Sequence, residues 1–340
     1  MCDLSAGELH DALVSIKLHA RVALHFHPDR PDLTGHTVAQ ALLRDGRYRS
    51  QFETGLSNGG LSANPGGRRD VCEQLLFAGA YHSPVANNAE RPKYGSLALL
   101  RHAHGPSPRF GSCYLVLAAP ASRRCTFTYL DSHEGAIERG SIEEFDDVFA
   151  ALLRSVFHHE LGLGESGLTV PSLLGRLRNE LPLPVNATAH FPIVRNLNHY
   201  IEAQVHGDVL LSQDVDALIV DPSFRDTDTG RVLDDLCRRY AIALHWHPGF
   251  LLSCAEVPRD FRGPTMPSLA ERVAISNMVD ASAIGAAVRD LQAHPDDWSD
   301  RGSPDEVLQE LKLLWHVLVK YGRPAQPSAE RSLPLNQGQR

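Results

Sequence analysis

The chain has 340 residues, 43% of them hydrophobic and 22% charged, with a formal net charge of −8 at pH 7. That length and apolar content suit one large domain or two ordinary ones. The acid excess removes any general electrostatic attraction to nucleic acid or to an anionic membrane.

From the N-terminus, residues 5–20 place Leu9, Leu13, Ile16 and Ala20 on one face. This spacing predicts an amphipathic helix leading into an apolar strand over Val22 to His27, which Pro28 and Pro31 end. Thr37 to Gly46 reads as a second helix stopped by its glycine. The run Leu56 to Arg69 is Gly-rich and holds Pro65, so it reads as a long irregular loop suited to wrapping a ligand. A helix over Asp70 to Tyr81 follows, with Asp70 as its N-cap. Strands are expected at 96–100, 112–118, 126–130, 200–205 and 217–220, with helices at 142–159 and 171–180 between them. This mixture is α+β. Further on come a helix at 232–240, a strand at 241–246, mostly helical sequence over 268–321, and a Pro-, Ser- and Gln-rich tail from Gly322 that reads as disordered.

Cys2, Cys72, Cys113, Cys125, Cys237 and Cys254 form no CxxC pair, which points to reduced thiols rather than a zinc cluster or disulfide framework. No apolar run reaches the length of a membrane span. A cytoplasmic product is expected, or an effector delivered without a signal peptide. The segment Val22 to Pro28, with His25 and His27, is echoed by Ile242 to Pro248, with His245 and His247. Their flanks differ, so the echo reads as two similar strand ends, neighbours in one sheet, rather than a duplication.

Four polar islands carry the chemistry. The first is His25-Phe26-His27-Pro28-Asp29-Arg30. The second runs from Tyr48 through Thr54, Ser57, Asn58 and Gly59 to Gly60. The third is Glu90-Arg91-Pro92-Lys93-Tyr94-Gly95, and the fourth is Glu202-Ala203-Gln204-Val205-His206-Gly207. On a strand, Glu202 and Gln204 point to one face and can serve one polar site, which His206 extends. A fixed carboxylate in a water-poor site stabilises a developing positive charge. Tyr94 or its rival Tyr81 can stack on a flat ring.

Read in order, these islands resemble the ADP-ribosyltransferase superfamily, and also a family of uncharacterised microbial proteins. The first resemblance implies an α+β split sheet with flanking helices over residues 1–225, a mainly helical extension over 226–321 packed on it, and a disordered tail over 322–340. It implies NAD as substrate, no metal and no membrane partner. His25 would hold the adenosine ribose, with His27 where the family often has Thr. Thr54, Ser57, Asn58 and Gly59 would contact phosphate or nicotinamide, Arg91 and Tyr94 would bind the nucleotide, and Glu202 with Gln204 would be catalytic. Members that modify arginine often carry Glu or Gln two residues before the catalytic Glu; here Tyr200 stands there. The acceptor is thus left open among protein, nucleic acid, small molecule and water. Two other readings stand beside this one. A metal-dependent hydrolase would use the HxH pairs His25/His27 and His245/His247 with His190 and His199, although no carboxylate stands at ligand spacing from either pair. A non-catalytic nucleotide-binding protein would keep the pocket and make Glu202 dispensable.

Overall fold

Alternating apolar and polar residues build the sheet that carries the site. A computed structural model of the protein describes residues 5–32, 34–56, 62–83, 87–184 and 191–325. Eight strands form its large mixed sheet. From one edge to the other they are Ala243–Trp246, Val215–Val220, Cys113–Leu117, Arg21–Phe26, Lys93–Ala98, Ile201–Val205, Cys125–Tyr129 and Arg139–Ser141. Val215–Val220 and Ala243–Trp246 pair in parallel; the other neighbours are antiparallel. With helices flanking it, this is an α+β architecture.

Period-two alternation sorts the side chains. Val22, Leu24, Phe26, Leu97, Leu115, Leu117, Ala203 and Val205 enter the main core. Ala23 stands opposite Ser96, Ser96 opposite Glu202, and Glu202 opposite Thr128, so the other face carries a continuous row across four strands. A one-residue slip would bury Ala203 in that row and send Glu202 into the apolar core, so the register is strongly specified.

The helices close the apolar face. Ala6–His19 starts at a capping box in which Ser5 and Glu8 bond reciprocally, and it buries Ala12 and Ile16 while packing on Val170–Asn179. Val38–Asp45 begins at a Thr37 capping box and stops at Gly46 in the left-handed conformation. Ala281–Ala293 and Pro304–Tyr321 pack on one another, and Trp315 Nε1 donates to the Pro108 carbonyl at 2.9 Å. Among the described residues no helix is long and apolar enough to cross a membrane.

Several expected boundaries shift. The strand expected at 96–100 begins at Lys93, so the motif around Tyr94 is part of the sheet. The helix expected from Asp70 is Arg68–Leu76, with Gly67 at its N-cap. Asp70 Oδ2 instead reaches back to accept from the Gly66 N–H at 2.8 Å. Arg139–Ser141, a short edge strand with one glycine, was not expected from its composition. The two echoing segments do share a sheet, but two strands separate them. Beyond residue 225, Ala243–Trp246 extends the sheet, and one core includes Val22, Leu218, Leu311 and Leu318. Of the expected tail, Gly322 to Ala325 are described, and Arg323 bridges Leu251.

Candidate functional site

A cavity of about 160 Å³ opens on the polar face of the sheet, lined by His25, His27, Thr54, Arg69, Tyr94 and Glu202 among others. Only one strand, Lys93–Ala98, separates the His25 strand from the Glu202 strand. Both side chains therefore reach one cleft.

Glu202 is 5% exposed. Its Oε1 accepts from Ser132 Oγ at 2.5 Å and from Gln204 Nε2 at 2.8 Å. Ser132 is presented by a short turn that Asp131 caps: Asp131 Oδ1 accepts the His133 N–H at 3.0 Å, and Oδ2 accepts the Tyr200 hydroxyl at 2.9 Å. Burial and then the Asp131 carboxylate push the Glu202 carboxyl up to about 7, against the pull of Arg69 and the two hydrogen bonds.

Opposite this carboxylate the cavity holds a cation. Arg69 is 5% exposed and lies 4.1 Å from the centroid of the Tyr94 ring. Its Nε and Nη1 have no hydrogen-bond partner among the described residues. Buried donors of this kind cost free energy until an acceptor meets them. Arg30, Arg47, Arg49, Lys93 and Arg109 line the same cavity together with Asp32, Asp45 and Asp131; Arg47 is paired with Glu53 and Arg49 with Asp45, so the lining carries a small excess of cations.

The remaining expected residues divide. His25 lines the cavity, but Nδ1 donates to the Gly111 carbonyl at 3.2 Å and Nε2 accepts the Ser107 N–H at 3.4 Å. Its ring stacks on Tyr114, and burial pushes it down to about 3. A neutral His25 engaged on both nitrogens would hold a ribose only by yielding the longer of these bonds. His27 also lines the cavity, edge-on to Trp315 and bonded to Ser112 Oγ. Thr54 lines it with its hydroxyl donating to the Ser50 carbonyl. Tyr94 lines it too, but one ring face is covered by Arg69 and its hydroxyl donates to Glu73 at 3.0 Å.

Arg91 is not among the lining residues. It bonds Asp70 at 2.7 Å and Glu73 at 2.9 Å and lies over the Phe52 ring, so it anchors the helix Arg68–Leu76 to the sheet. Gln204, 1% exposed, is likewise absent from the lining. Its amide donates to Glu202 Oε1. Tyr81 pairs with His206 instead of facing the cavity. Ser57, Asn58, Gly59 and His190 lie outside the described residues.

Of the second HxH pair, His247 is engaged on both nitrogens, by the Ser112 carbonyl at 2.8 Å and the Gly249 N–H at 2.9 Å. Among the described residues no group of three or more His, Cys, Asp or Glu is placed to hold a metal ion. Sequence reasoning missed Arg69, Asp131, Ser132 and Tyr200 as site residues. Asp131-Ser132-His133 after a strand is a readable turn signal, whereas nothing local distinguishes Arg69 from Arg68. A family model described as "Protein of unknown function (DUF3626)" matches residues 21–321, and so includes every strand of the sheet. No curated protein matches the chain.

Proposed function

The chain belongs to the DUF3626 family, and from its own site we propose that it is an NAD-dependent ADP-ribosyltransferase. The observation that carries the reading is the buried Glu202 carboxylate, clamped by Ser132 and Gln204, in one cavity with the unpartnered Arg69 guanidinium. Cleaving the nicotinamide–ribose bond sends the bonding electrons to nicotinamide and leaves positive charge on the ribose. Glu202 stabilises that charge through its ionised form, in a site too buried for water to screen it. Arg69, whose Nε and Nη1 have no hydrogen-bond partner among the described residues, neutralises the nucleotide phosphates, because a guanidinium matches a phosphate with paired N–H donors. The new bond forms between the anomeric carbon and an acceptor that is a protein, nucleic acid, small molecule or water, and the proton the acceptor loses passes to solvent. The sheet order, with the His25 and Glu202 strands flanking a common neighbour, supports an ADP-ribosyltransferase-like assignment of the fold.

For the hydrolase reading, one histidine of each HxH pair is already engaged on both nitrogens, so the pairs offer no assembled ligand set. The test is nicotinamide release from NAD. Glu202→Gln keeps the shape and removes the charge, so turnover falls on the order of hundreds-fold while KM changes little. Wild-type turnover in Glu202→Gln would overturn the assignment.

A further inference from the structure

Behind Glu202 a hydrogen-bonded line runs away from the cavity, with a side branch of 3.5 Å from Gln204 Nε2 to Thr128 Oγ1. Tyr81 Oη lies 2.5 Å from His206 Nδ1, and His206 Nε2 lies 2.9 Å from Thr126 Oγ1. Thr126 Oγ1 donates to Gln204 Oε1 at 2.9 Å, and Gln204 Nε2 donates to Glu202 Oε1 at 2.8 Å. The strand register builds this line, since Thr126 stands opposite Gln204 and Thr128 opposite Glu202. Tyr81 and His206 stack with their planes 6° apart, and Phe77 meets both rings edge-on.

Each group's hydrogen inventory fixes the next. An ionised Glu202 only accepts, so the Gln204 amide presents its NH2 there and turns its oxygen to Thr126. The single Thr126 O–H is spent on that oxygen, so Thr126 accepts from His206, whose proton must sit on Nε2. Nδ1 is then the acceptor, and Tyr81 must donate. Every donor in the line points toward the carboxylate, an arrangement in which each bond polarises the next. A side-chain amide does not pass a proton along as a hydroxyl does, so the line orients and polarises rather than conducts.

We propose that Tyr81, His206 and Thr126 are positioning residues that act through Gln204 to hold Glu202 in its ionised form and in its cavity-facing orientation. This rests on the reading of Glu202 as the charge that stabilises the ribosyl cation. The other groups facing Glu202 are Ser132, Asp131, Arg69, Tyr94 and Tyr200. Burial and then the charge of Lys93 disfavour protonation of His206, and Arg124 bonds its carbonyl.

The test is a carbon-13 NMR titration of the full chain carrying side-chain-labelled glutamate, with the Glu202 signal assigned by its loss in Glu202→Gln. Thr126→Val frees the Gln204 amide to turn its oxygen toward Glu202. Its midpoint should rise on the order of half a pH unit or more, and Thr126→Ser should restore it. Tyr81→Phe, which keeps the ring packing, should move it in the same direction. In the nicotinamide-release assay the acid limb of kcat should move with the titration while KM stays within about twofold. A folded Thr126→Val whose Glu202 titrates as in wild type would overturn the proposal. A midpoint that moves in a protein releasing no nicotinamide would keep the line and sink the transferase reading.

Discussion

Arg69 and Arg91 carry the same charge within one neighbourhood and do opposite things. Arg91 is matched by Asp70 and Glu73, and Glu73 is fully buried. Removing Arg91 leaves that buried carboxylate with the Tyr94 hydroxyl as its hydrogen-bond donor among the described residues and the charge of Arg69 nearby, so Arg91→Ala should cost about 3 kcal/mol in a urea denaturation curve. Arg69 has donors to spare, so Arg69→Met should change the urea midpoint little. It should weaken binding of NAD or inorganic pyrophosphate roughly tenfold to a hundredfold, the worth of one charged hydrogen-bonding partner. Calorimetric titration checks this, and undiminished pyrophosphate affinity in Arg69→Met would remove Arg69 from the site. Glu202 adds a pH dependence. Its carboxyl is raised to about 7, and the protonated form carries no charge to oppose a cation. The turnover of the wild-type protein should therefore rise with pH through about 7 and level off above it. A rate flat between pH 6 and 8 would contradict that role.

At the scale of elements, the segment from Ser107 to Gly111 holds the end of the Arg21–Phe26 strand. It contributes both backbone partners of His25 and the carbonyl of Pro108 that Trp315 bonds. A Cβ on Gly111 would come within 2.3–2.4 Å of the Phe26 backbone, and backbone on both sides leaves nothing flexible to give way. Gly111→Ala should cost about 2–3 kcal/mol by overpacking, and should lower nicotinamide release by displacing His25 from the cavity wall. Gly175, inside the helix Val170–Asn179 with open space around its Cα, makes the contrast. Gly175→Ala should stabilise the fold by about 0.5–1 kcal/mol through lower backbone entropy in the unfolded chain. Equal effects of the two substitutions on the denaturation midpoint would refute this account of the crossing segment.

Across the whole molecule, buried uncharged histidines cluster where the C-terminal helices meet the sheet. Burial pushes His25, His247 and His316 down to about 3, His104 down to about 4, and His27 well below its ordinary value. In the unfolded chain each would titrate near 6.5. From pH 6.5 downward the unfolded state binds protons that the native state refuses, so their contribution is complete above 6.5 and lost as pH falls toward 4 and 3. Asp221 and Glu202, both raised to about 7 mainly by burial, act in reverse. The native state keeps their protons after the unfolded chain has released them, so their contribution is present below about 4 and lost as pH rises through 7. Burial also raises the Asp29 and Glu73 carboxyls and lowers His206, so six histidines oppose four carboxyls over the shared window. The urea midpoint should therefore be lower at pH 5 than at pH 7.5, and a higher midpoint at pH 5 would show that the carboxyls dominate.

What the sequence by itself determined follows local rules. The Thr37 cap and Gly46 stop lie within one turn of the helix they bound. The alternation around Glu202 announces a strand face because adjacent side chains must point to opposite sides. The same signals mark Glu202 and His25 as polar tips of apolar strands, while the resemblance to the ADP-ribosyltransferase superfamily adds Thr54 and Tyr94 to their cleft. Only the tertiary structure decided what each candidate touches. Tyr81 and His206 are 125 residues apart in the chain and Thr126 and Gln204 are 78 apart, so sheet register and not spacing makes the line behind Glu202. In the same way Arg68 and Arg69 are equivalent as letters, while the helix that carries them buries only Arg69 against Tyr94. Desolvation depends on every neighbour at once, and for that reason the unpartnered guanidinium and the raised Glu202 carboxyl emerge only when the chain has closed around them.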